Sequence, residues 1–254
     1  MKKLSLTFIS TVIALTITAQ SKPKEPQMTG FLMQDQLPQG MVYLPAPPDT
    51  SSIAYLNDFH RYQWGKSMRS TERGRQAVFD AYVQTDSILK GFSEAFGMLV
   101  TREQTPVTYD LIERVENDGS AGVRSVKRKY QRTRPYVQFH ESTSVPWDEE
   151  ELRRSGSYPS GHSARGWAIA LVLSELNPAH QTEILKRGFD YGESRVIAGF
   201  HYQSDVDAAR IAASAVVARL HACPAFIKQL ALAKKELEKF QHRKMTMKIQ
   251  RQQD

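Results

Sequence analysis

The sequence predicts an all-α protein, built as a single domain of many medium-length helices. From about Ser51 onward, apolar residues recur at steps of three and four, the spacing of a buried helix face. Alternation of apolar and polar residues, typical of a half-buried strand, is scarce, and no internal repeat is found. With 254 residues, 41% of them hydrophobic and 24% charged, the chain is long enough for one large core.

Residues 1–19 have the pattern of a secretory signal peptide. Two lysines precede an uncharged, largely apolar stretch from Leu4 to Ile17, and a small residue, Ala19, follows it. The alternative is an N-terminal membrane anchor, but the apolar run is shorter than the ~20 residues that a spanning helix needs. We therefore expect cleavage after Ala19, a periplasmic or secreted location, and no membrane association of the mature chain.

The two ends of the mature chain differ from its middle. Residues 20–50 are rich in proline and polar residues, which predicts an irregular arm lying over the domain. The helical pattern occupies residues 51–240, and residues 241–254 are expected to be a basic, solvated tail. The formal net charge of +7 favours anionic partners, but no basic run is interleaved with aromatic residues as in a nucleic-acid surface. Cys223 is the single cysteine, so an internal disulfide is excluded.

Local signals divide the middle of the chain into helices. Gly119 and Gly122 interrupt one apolar pattern and predict a break or bend there. Asn177 is expected to cap a new helix that has Pro178 in its first turn, and Pro224 ends a later pattern. The predicted apolar faces are Ala77, Val78, Ala81 and Tyr82; Leu111, Val115, Val123, Val126 and Tyr130; Trp167, Leu171, Val172 and Leu176; and Ala209, Ala212, Ala213, Val216 and Leu220.

The first segment whose side chains could take part in binding or catalysis is Lys127-x6-Arg134-Pro135. A phosphoryl group spreads negative charge over three oxygens, and arginine and lysine are the side chains suited to hold them. Pro135 disfavours helical geometry at Arg134, so the helix is expected to end there with its guanidinium projecting. A basic run such as residues 124–134 is also typical of a solvated helix face, and this segment alone does not decide between the two.

The second segment is Gly156-Ser-Tyr-Pro-Ser-Gly-His162, directly followed by helical sequence. Ser160 can cap that helix, and Gly161 lets backbone N–H groups approach an anion at the helix N-terminus. His162 would then lie beside the bound anion, where it could protonate a leaving oxygen. An ordinary surface turn has the same composition.

The third segment is Ser194-Arg195-x5-His201-x3-Asp205. On a helix, His201 and Asp205 lie one turn apart on the same face, so the carboxylate can fix the imidazole tautomer and leave the other nitrogen free. The pair is equally compatible with a plain structural contact or with part of a zinc site. No His or Cys lies at short metal-ligand spacing from either histidine, so no metal site is predicted.

Together and in this order, the three segments resemble the phosphatase motif of the type 2 phosphatidic acid phosphatase superfamily, which joins lipid phosphatases, bacterial acid phosphatases and vanadium haloperoxidases. The wider context, from about Tyr43 to Phe240, is similar to the class A bacterial nonspecific acid phosphatases. The segments that carry this closer resemblance are Tyr43-Leu-Pro, Ser52-Ile-Ala, Asn57-Asp58, Ser70-Thr-Glu-Arg-Gly74, the segment ending at His162, and Gln203-Ser-Asp-Val-Asp-Ala-Ala-Arg210.

The resemblance implies a metal-independent acid phosphatase without cofactors that acts on small phosphate monoesters such as nucleotides and sugar or aryl phosphates. It implies that His201 attacks phosphorus to form a phosphohistidine, that Asp205 orients His201, and that His162 is the general acid and base. This chemistry needs neutral His201 together with protonated His162, hence acid pH. Relatives often form dimers, so the resemblance is compatible with a homodimer and leaves the oligomeric state open. The phosphate-binding residues implied are Lys127, Arg134, Ser160, Gly161 and Arg195.

The chain departs from the family pattern at a few positions. Ser163 stands where threonine is common, and Tyr136 where phenylalanine is frequent, which could alter contacts to the leaving group. The acidic segment 140–154 matches poorly and is expected to be a variable loop beside the site. A vanadate-dependent haloperoxidase and a secreted phosphate-binding protein without turnover are the alternatives, and the complete set of catalytic side chains favours the enzyme.

Overall fold

A computed structural model describes residues 30–250; the predicted signal peptide, residues 1–19, lies outside the described residues. The prediction of an all-α single domain is confirmed, since the described part of the chain holds helices and turns and no strand. Short 3-10 turns occur at Gln34–Gln36, Pro146–Asp148 and Pro178–His180. The helices are α1 (Gly40–Tyr43), α2 (Ile53–Met68), α3 (Glu72–Phe79), α4 (Thr85–Phe96), α5 (Pro106–Ala121), α6 (Arg124–Tyr130), α7 (Pro135–Gln138), α8 (Glu149–Arg153), α9 (Gly161–Leu176), α10 (Gln181–Ala198), α11 (Gln203–Leu220) and α12 (Pro224–Gln250).

Helix α9 lies at the centre of the core. It is apolar on nearly every face, as expected for a helix that neighbours surround, and α5, α10 and α11 pack against it. Small residues let these neighbours approach closely. A Cβ added at Gly166 would lie 2.1 Å from a ring carbon of Tyr191 on α10, and one at Gly119 would lie 2.9 Å from Cβ of Ala168. This packing brings α9 into close contact with α5 and α10.

Of two helix boundaries predicted from the sequence, the structure confirms the break near Gly122 and contradicts the cap at Asn177. The predicted interruption near Gly122 is confirmed, because α5 ends just before it and α6 begins two residues later. Asn177 was expected to cap a helix, and this is wrong: its side chain makes no capping bond and donates instead to the carbonyl of Phe96 at 2.8 Å. A 3-10 turn over Pro178–His180 intervenes before α10 starts at Gln181.

The ends of the described chain are more regular than the composition indicated. The arm contains a 3-10 turn and helix α1, and it is tied to α5 by Asp118, which accepts from the N–H groups of Phe31 at 2.7 Å and Leu32 at 3.3 Å. At the other end, α12 runs through the expected start of the tail at residue 241 and continues to Gln250.

No single helix within residues 30–250 is long and apolar enough to cross a membrane. Only the bent pair formed by Gln203–Leu220 and Pro224–Phe240, whose axes meet at 91°, reaches the required length and composition when both helices are taken together.

Candidate active site

A cavity of about 450 Å³ opens where α9 and α11 begin. Its floor is cationic and holds six of the eight residues proposed from the sequence, whereas Ser160 and Asp205 lie one layer behind it. The lining residues are Ala81, Tyr82, Val83, Gln84, Ser120, Lys127, Arg134, Trp147, Asp148, Glu151, Leu152, Ser155, Gly161, His162, Arg165, Arg195 and His201.

His201 lies in the short connection between α10 and α11. The sequence placed it on a helix together with Asp205, which is wrong: α10 ends at Ala198, the following Gly199 turns the chain with a φ of +95°, and α11 starts at Gln203. Asp205, in the first turn of α11, accepts from the N–H of Tyr202 at 2.9 Å. This turn brings the Asp205 carboxylate to 3.4 Å from Nδ1 of His201, so the expected pair forms through a helix start.

The contacts of the buried His201 ring fix its tautomer. Nη1 of Arg134 lies 3.1 Å from Nε2 of His201. Because a guanidinium can only donate, Nε2 must accept, and the ring proton therefore sits on Nδ1, which lies 3.2 Å from Oγ of Ser157 and 3.4 Å from the Asp205 carboxylate. Burial, together with the charges of Arg134, Lys127 and Arg195, holds the pKa of His201 well below its usual value. The ring is thus neutral, with a lone pair on Nε2 at the cationic floor.

Asp205 is held by residues that the motif analysis did not single out. The hydroxyl of Ser157 donates to its Oδ2, and Nη1 of Arg132 donates to its Oδ1 at 2.7 Å. Arg132 also donates to Asp58, at 2.8 Å, so one guanidinium bridges two fully buried carboxylates. Ser157 and Asp58 both lie in segments that carry the family resemblance, which was the available signal.

Arg134 is the most heavily bonded of the three cations. Its backbone is extended, as Pro135 predicts. The helix was expected to end at Arg134, however, and it ends four residues earlier, at Tyr130. The guanidinium donates to the carbonyls of Leu152 at 2.8 Å and Ser155 at 3.0 Å, and burial lowers its pKa to about 10.

Lys127 and Arg195 complete the cationic floor. Lys127 donates from Nζ to the carbonyl of Gly156 at 2.6 Å, and burial, assisted by Arg134, lowers its pKa to about 7. Arg195 is 3% exposed and packs over the ring of Phe200 at 4.5 Å. Its Nε and Nη1 are buried without a hydrogen-bond partner in the part of the chain that the structure describes. The Nε–H and Nη1–H groups of Arg195 are thus available to donate hydrogen bonds to an anion.

Ser160 and Gly161 form the start of α9. The Ser160 hydroxyl accepts from the N–H of Ser163 at 3.2 Å, which confirms the capping role, and it also accepts from the Ser163 hydroxyl at 2.9 Å. It is fully buried, so its contact with a phosphate stays a prediction. Gly161 lines the cavity, and a Cβ added there would meet nothing closer than 3.8 Å. The helix N-terminus is therefore open towards the cavity.

His162 follows directly, in the first turn of α9. Its ring stacks on Tyr191 with centroids 4.6 Å apart and planes 7° from parallel, and it bonds the backbone carbonyl of Asp80. Nε2 of His162 has no hydrogen-bond partner among residues 30–250. Burial, then the charges of Arg195 and Arg165, keep the pKa of His162 well below its usual value. This direction opposes the protonated state that the sequence-based mechanism requires.

The expectation that segment 140–154 lies beside the site is confirmed, although half of it is helical. Trp147, Asp148 and Glu151 contribute to the cavity wall. Tyr136, whose hydroxyl could have altered contacts to the leaving group, is buried, does not line the cavity, and donates that hydroxyl to the backbone carbonyl of Glu149 at 2.7 Å.

Arg165, which the motifs did not indicate, lies in the opening stretch of α9 and lines the cavity together with Ser120. In the described residues, no group of three or more His, Cys, Asp or Glu side chains has the arrangement of a metal site.

Comparison with known proteins shows which family the chain belongs to. Residues 119–228, which include all eight residues proposed from the sequence, match the PAP2 superfamily. The chain is 44% identical over 245 residues to a non-specific acid phosphatase of Providencia stuartii, covering 94% of this chain and 99% of the relative. It is 43% identical over 196 residues to that of Salmonella typhimurium, covering 77% and 78%, and 34% identical over 227 residues to an acid phosphatase of Zymomonas mobilis, covering 89% and 84%. The chain therefore belongs to the class A non-specific acid phosphatases of the PAP2 superfamily.

Proposed function

We propose that this acid phosphatase hydrolyses phosphate monoesters through a covalent phosphohistidine at Nε2 of His201. The observation that carries the proposal is the contact of 3.1 Å between this nitrogen and Nη1 of Arg134. It supports a neutral imidazole whose lone pair lies among the cations that would hold a phosphoryl group.

In the first step, Nε2 attacks phosphorus and forms an N–P bond while the bond from phosphorus to the ester oxygen breaks. Lys127, Arg134 and Arg195 bind the three non-bridging oxygens, and the N–H of Gly161 adds a donor at the helix N-terminus. His162 gives its proton to the departing oxygen, so the alcohol leaves neutral. The proton on Nδ1 of His201 stays in place, and the Asp205 carboxylate stabilises the positive charge that the phosphorylated ring acquires.

In the second step, water attacks phosphorus and the N–P bond breaks. His162, now neutral, takes the proton of this water, and inorganic phosphate leaves while His201 regains its lone pair. His162 begins each cycle protonated because the charge of a bound phosphomonoester opposes Arg195 and Arg165, the cations that lower its pKa.

We further propose that the reaction needs no metal ion and that the enzyme is exported. Three cationic side chains at the cavity floor supply the charge stabilisation that a divalent ion supplies elsewhere. Residues 1–19 supply the export signal. A cavity of about 450 Å³ exceeds what a phosphoryl group fills, which supports broad specificity for the alcohol. A homodimer stays a prediction.

The mechanism is tested by trapping the intermediate. Enzyme mixed with ³²P-labelled p-nitrophenyl phosphate in excess EDTA is quenched in alkali within milliseconds, because a phosphoramidate survives alkali and breaks in acid. We expect label on the peptide that contains His201, none in His201→Ala, and a wild-type amount in His221→Gln, which changes a half-exposed histidine paired with Glu175.

Three results would contradict the proposal. Loss of turnover in EDTA that zinc restores would overturn the metal-free mechanism. Near-normal turnover in His201→Ala would exclude His201 as the nucleophile. Stoichiometric phosphate binding without hydrolysis would favour a binding protein.

A further inference from the structure

Arg165 is a second cationic feature of the cavity, separate from the phosphate-binding floor. It follows His162 by three residues on α9, so the two side chains project from the same face of the helix, and both line the cavity. Because His162 protonates the ester oxygen in the proposed function, the carbon chain of the leaving group begins beside His162. Atoms a few bonds further along that chain come within reach of Arg165.

The hydrogen-bond donors of the Arg165 guanidinium are not all paired within residues 30–250. The side chain is 19% exposed, and its Nε is buried without a hydrogen-bond partner within the described range 30–250. Its nearest carboxylate is that of Glu116, with Nε and Oε1 3.9 Å apart, beyond hydrogen-bond distance. Burial raises the pKa of Glu116 to about 7 although Arg165 opposes this, so at acid pH this carboxyl does not neutralise the arginine.

The surroundings of Arg165 suit an oxyanion. Ser120 lies one helical turn after Glu116 on α5 and lines the same cavity, and its Oγ lies 3.8 Å from a Cβ added at Gly161, so it can donate a hydrogen bond near the start of α9. The acidic side chains of the lining, Asp148 and Glu151, come from a different segment of the chain. An anionic group on the leaving group is therefore attracted to Arg165 and disfavoured next to Asp148 and Glu151.

We propose that Arg165, assisted by Ser120, forms an accessory anion subsite that selects phosphomonoesters whose alcohol carries a second oxyanion, either a carboxylate or another phosphoryl group. The inference rests on the proposed function, since it takes the position of the leaving oxygen from the role of His162.

The test compares matched substrates within each variant. Ethyl phosphate is paired with phosphoglycolate, and propyl phosphate with propane-1,3-diol bisphosphate, so that each pair isolates one kind of added anion. The measured quantity is the ratio of kcat/KM for the charged substrate to kcat/KM for its neutral partner, at pH 6 and low ionic strength. A general change in activity cancels in this ratio.

We expect Arg165→Met to lower the ratio about tenfold for at least one pair, and Arg165→Lys to keep most of it. The double variant Arg165→Met with Glu116→Gln should lose the ratio equally, and it leaves no buried carboxylate uncompensated. Arg154→Met removes one positive charge from an exposed ion pair outside the cavity, so it controls for net charge and should leave the ratio unchanged.

If Arg165→Met lowers the kcat/KM ratio only for the carboxylate pair, the subsite takes a carboxylate. If it lowers the ratio only for the bisphosphate pair, the subsite takes a phosphoryl group. Ratios unchanged in Arg165→Met for both pairs, while ethyl phosphate is still hydrolysed, would overturn the inference. If the wild type hydrolyses none of the four esters, the proposed function fails instead. Calorimetric binding of phosphoglycolate against ethyl phosphate in wild type and Arg165→Met then tests the subsite by itself, and equal preference in both proteins would overturn it.

Discussion

Replacing Arg132 by methionine should destabilise the protein strongly, although Arg132 does not line the cavity. Its guanidinium bonds Asp58 at 2.8 Å and Asp205 at 2.7 Å, and both carboxylates are fully buried. In Arg132→Met the aliphatic stem is largely kept while both ion pairs are lost, leaving two charged groups in the interior without their cation.

The magnitude follows from that burial. Removing one partner of a buried ion pair costs about 3–5 kcal/mol, and two carboxylates share this arginine, so we expect the upper part of the range. For a domain of this size each kcal/mol corresponds to roughly 2–4 °C, which gives a fall in melting temperature on the order of 10–15 °C. Arg132→Lys should fall in between, because one ammonium can satisfy one carboxylate but cannot bridge both.

Thermal unfolding followed by circular dichroism at pH 7 measures this effect. Arg154→Met is the matched control, since Arg154 pairs with Glu150 at the surface, where both side chains are more than 70% exposed. Arg154→Met should change the free energy of unfolding by no more than about 0.5 kcal/mol. An Arg132→Met protein that melts within 2 °C of the wild type would refute the view that this arginine holds the two carboxylates together.

Three further changes address the chemistry. Asp205→Asn should lower kcat for p-nitrophenyl phosphate by about 10²–10⁴-fold with little change in KM, because a neutral amide replaces the carboxylate that orients the Nδ1 proton of His201 and stabilises the charge of the phosphorylated ring; a raised KM with kcat intact would contradict the orienting role. Burial lowers the pKa of Lys127 to about 7, so kcat/KM should fall as the pH rises through about 7 and the ammonium is lost. Lys127→Arg should move that fall to higher pH, and an unmoved limb would assign it to another group. Burial raises the pKa of Glu116 from 4.5 to about 7, so the folding stability that this group contributes is lost as the pH rises from about 4.5 through about 7. Glu116→Gln should therefore stabilise the protein by about 3 kcal/mol at pH 8 and hardly at pH 4, measured by urea unfolding, whereas equal effects at both pH values would argue against a shifted Glu116.

The parts of the site that follow from local sequence were predictable. Pro135 restricts the backbone of Arg134, and Ser160 caps α9 because its hydroxyl is three residues from a free N–H. The i,i+4 spacing of His201 and Asp205 also indicated a contact. It did not reveal that the contact forms at a helix start, because a helix and a capping turn bring such residues to similar distances.

What sequence reasoning missed depends on long-range packing. Arg132 meets Asp58 across 74 positions, and Arg165 reaches Glu116 only because α5 packs against α9. No spacing rule encodes such contacts. The lowered pKa of His162 was likewise out of reach, since burial against Tyr191 and the nearby guanidinium of Arg195 exist only once the helices have assembled.

The bonds that hold Lys127 and Arg134 have an evolutionary consequence. Lys127 is positioned by the carbonyl of Gly156, and Arg134 by those of Leu152 and Ser155, so both cations are anchored mainly to peptide groups of the segment that also borders the leaving group. Every amino acid supplies the same carbonyl. Mutation can therefore replace the side chains of this segment and change the preference for one alcohol over another. The backbone carbonyls that position Lys127 and Arg134 are kept, so phosphate binding is preserved.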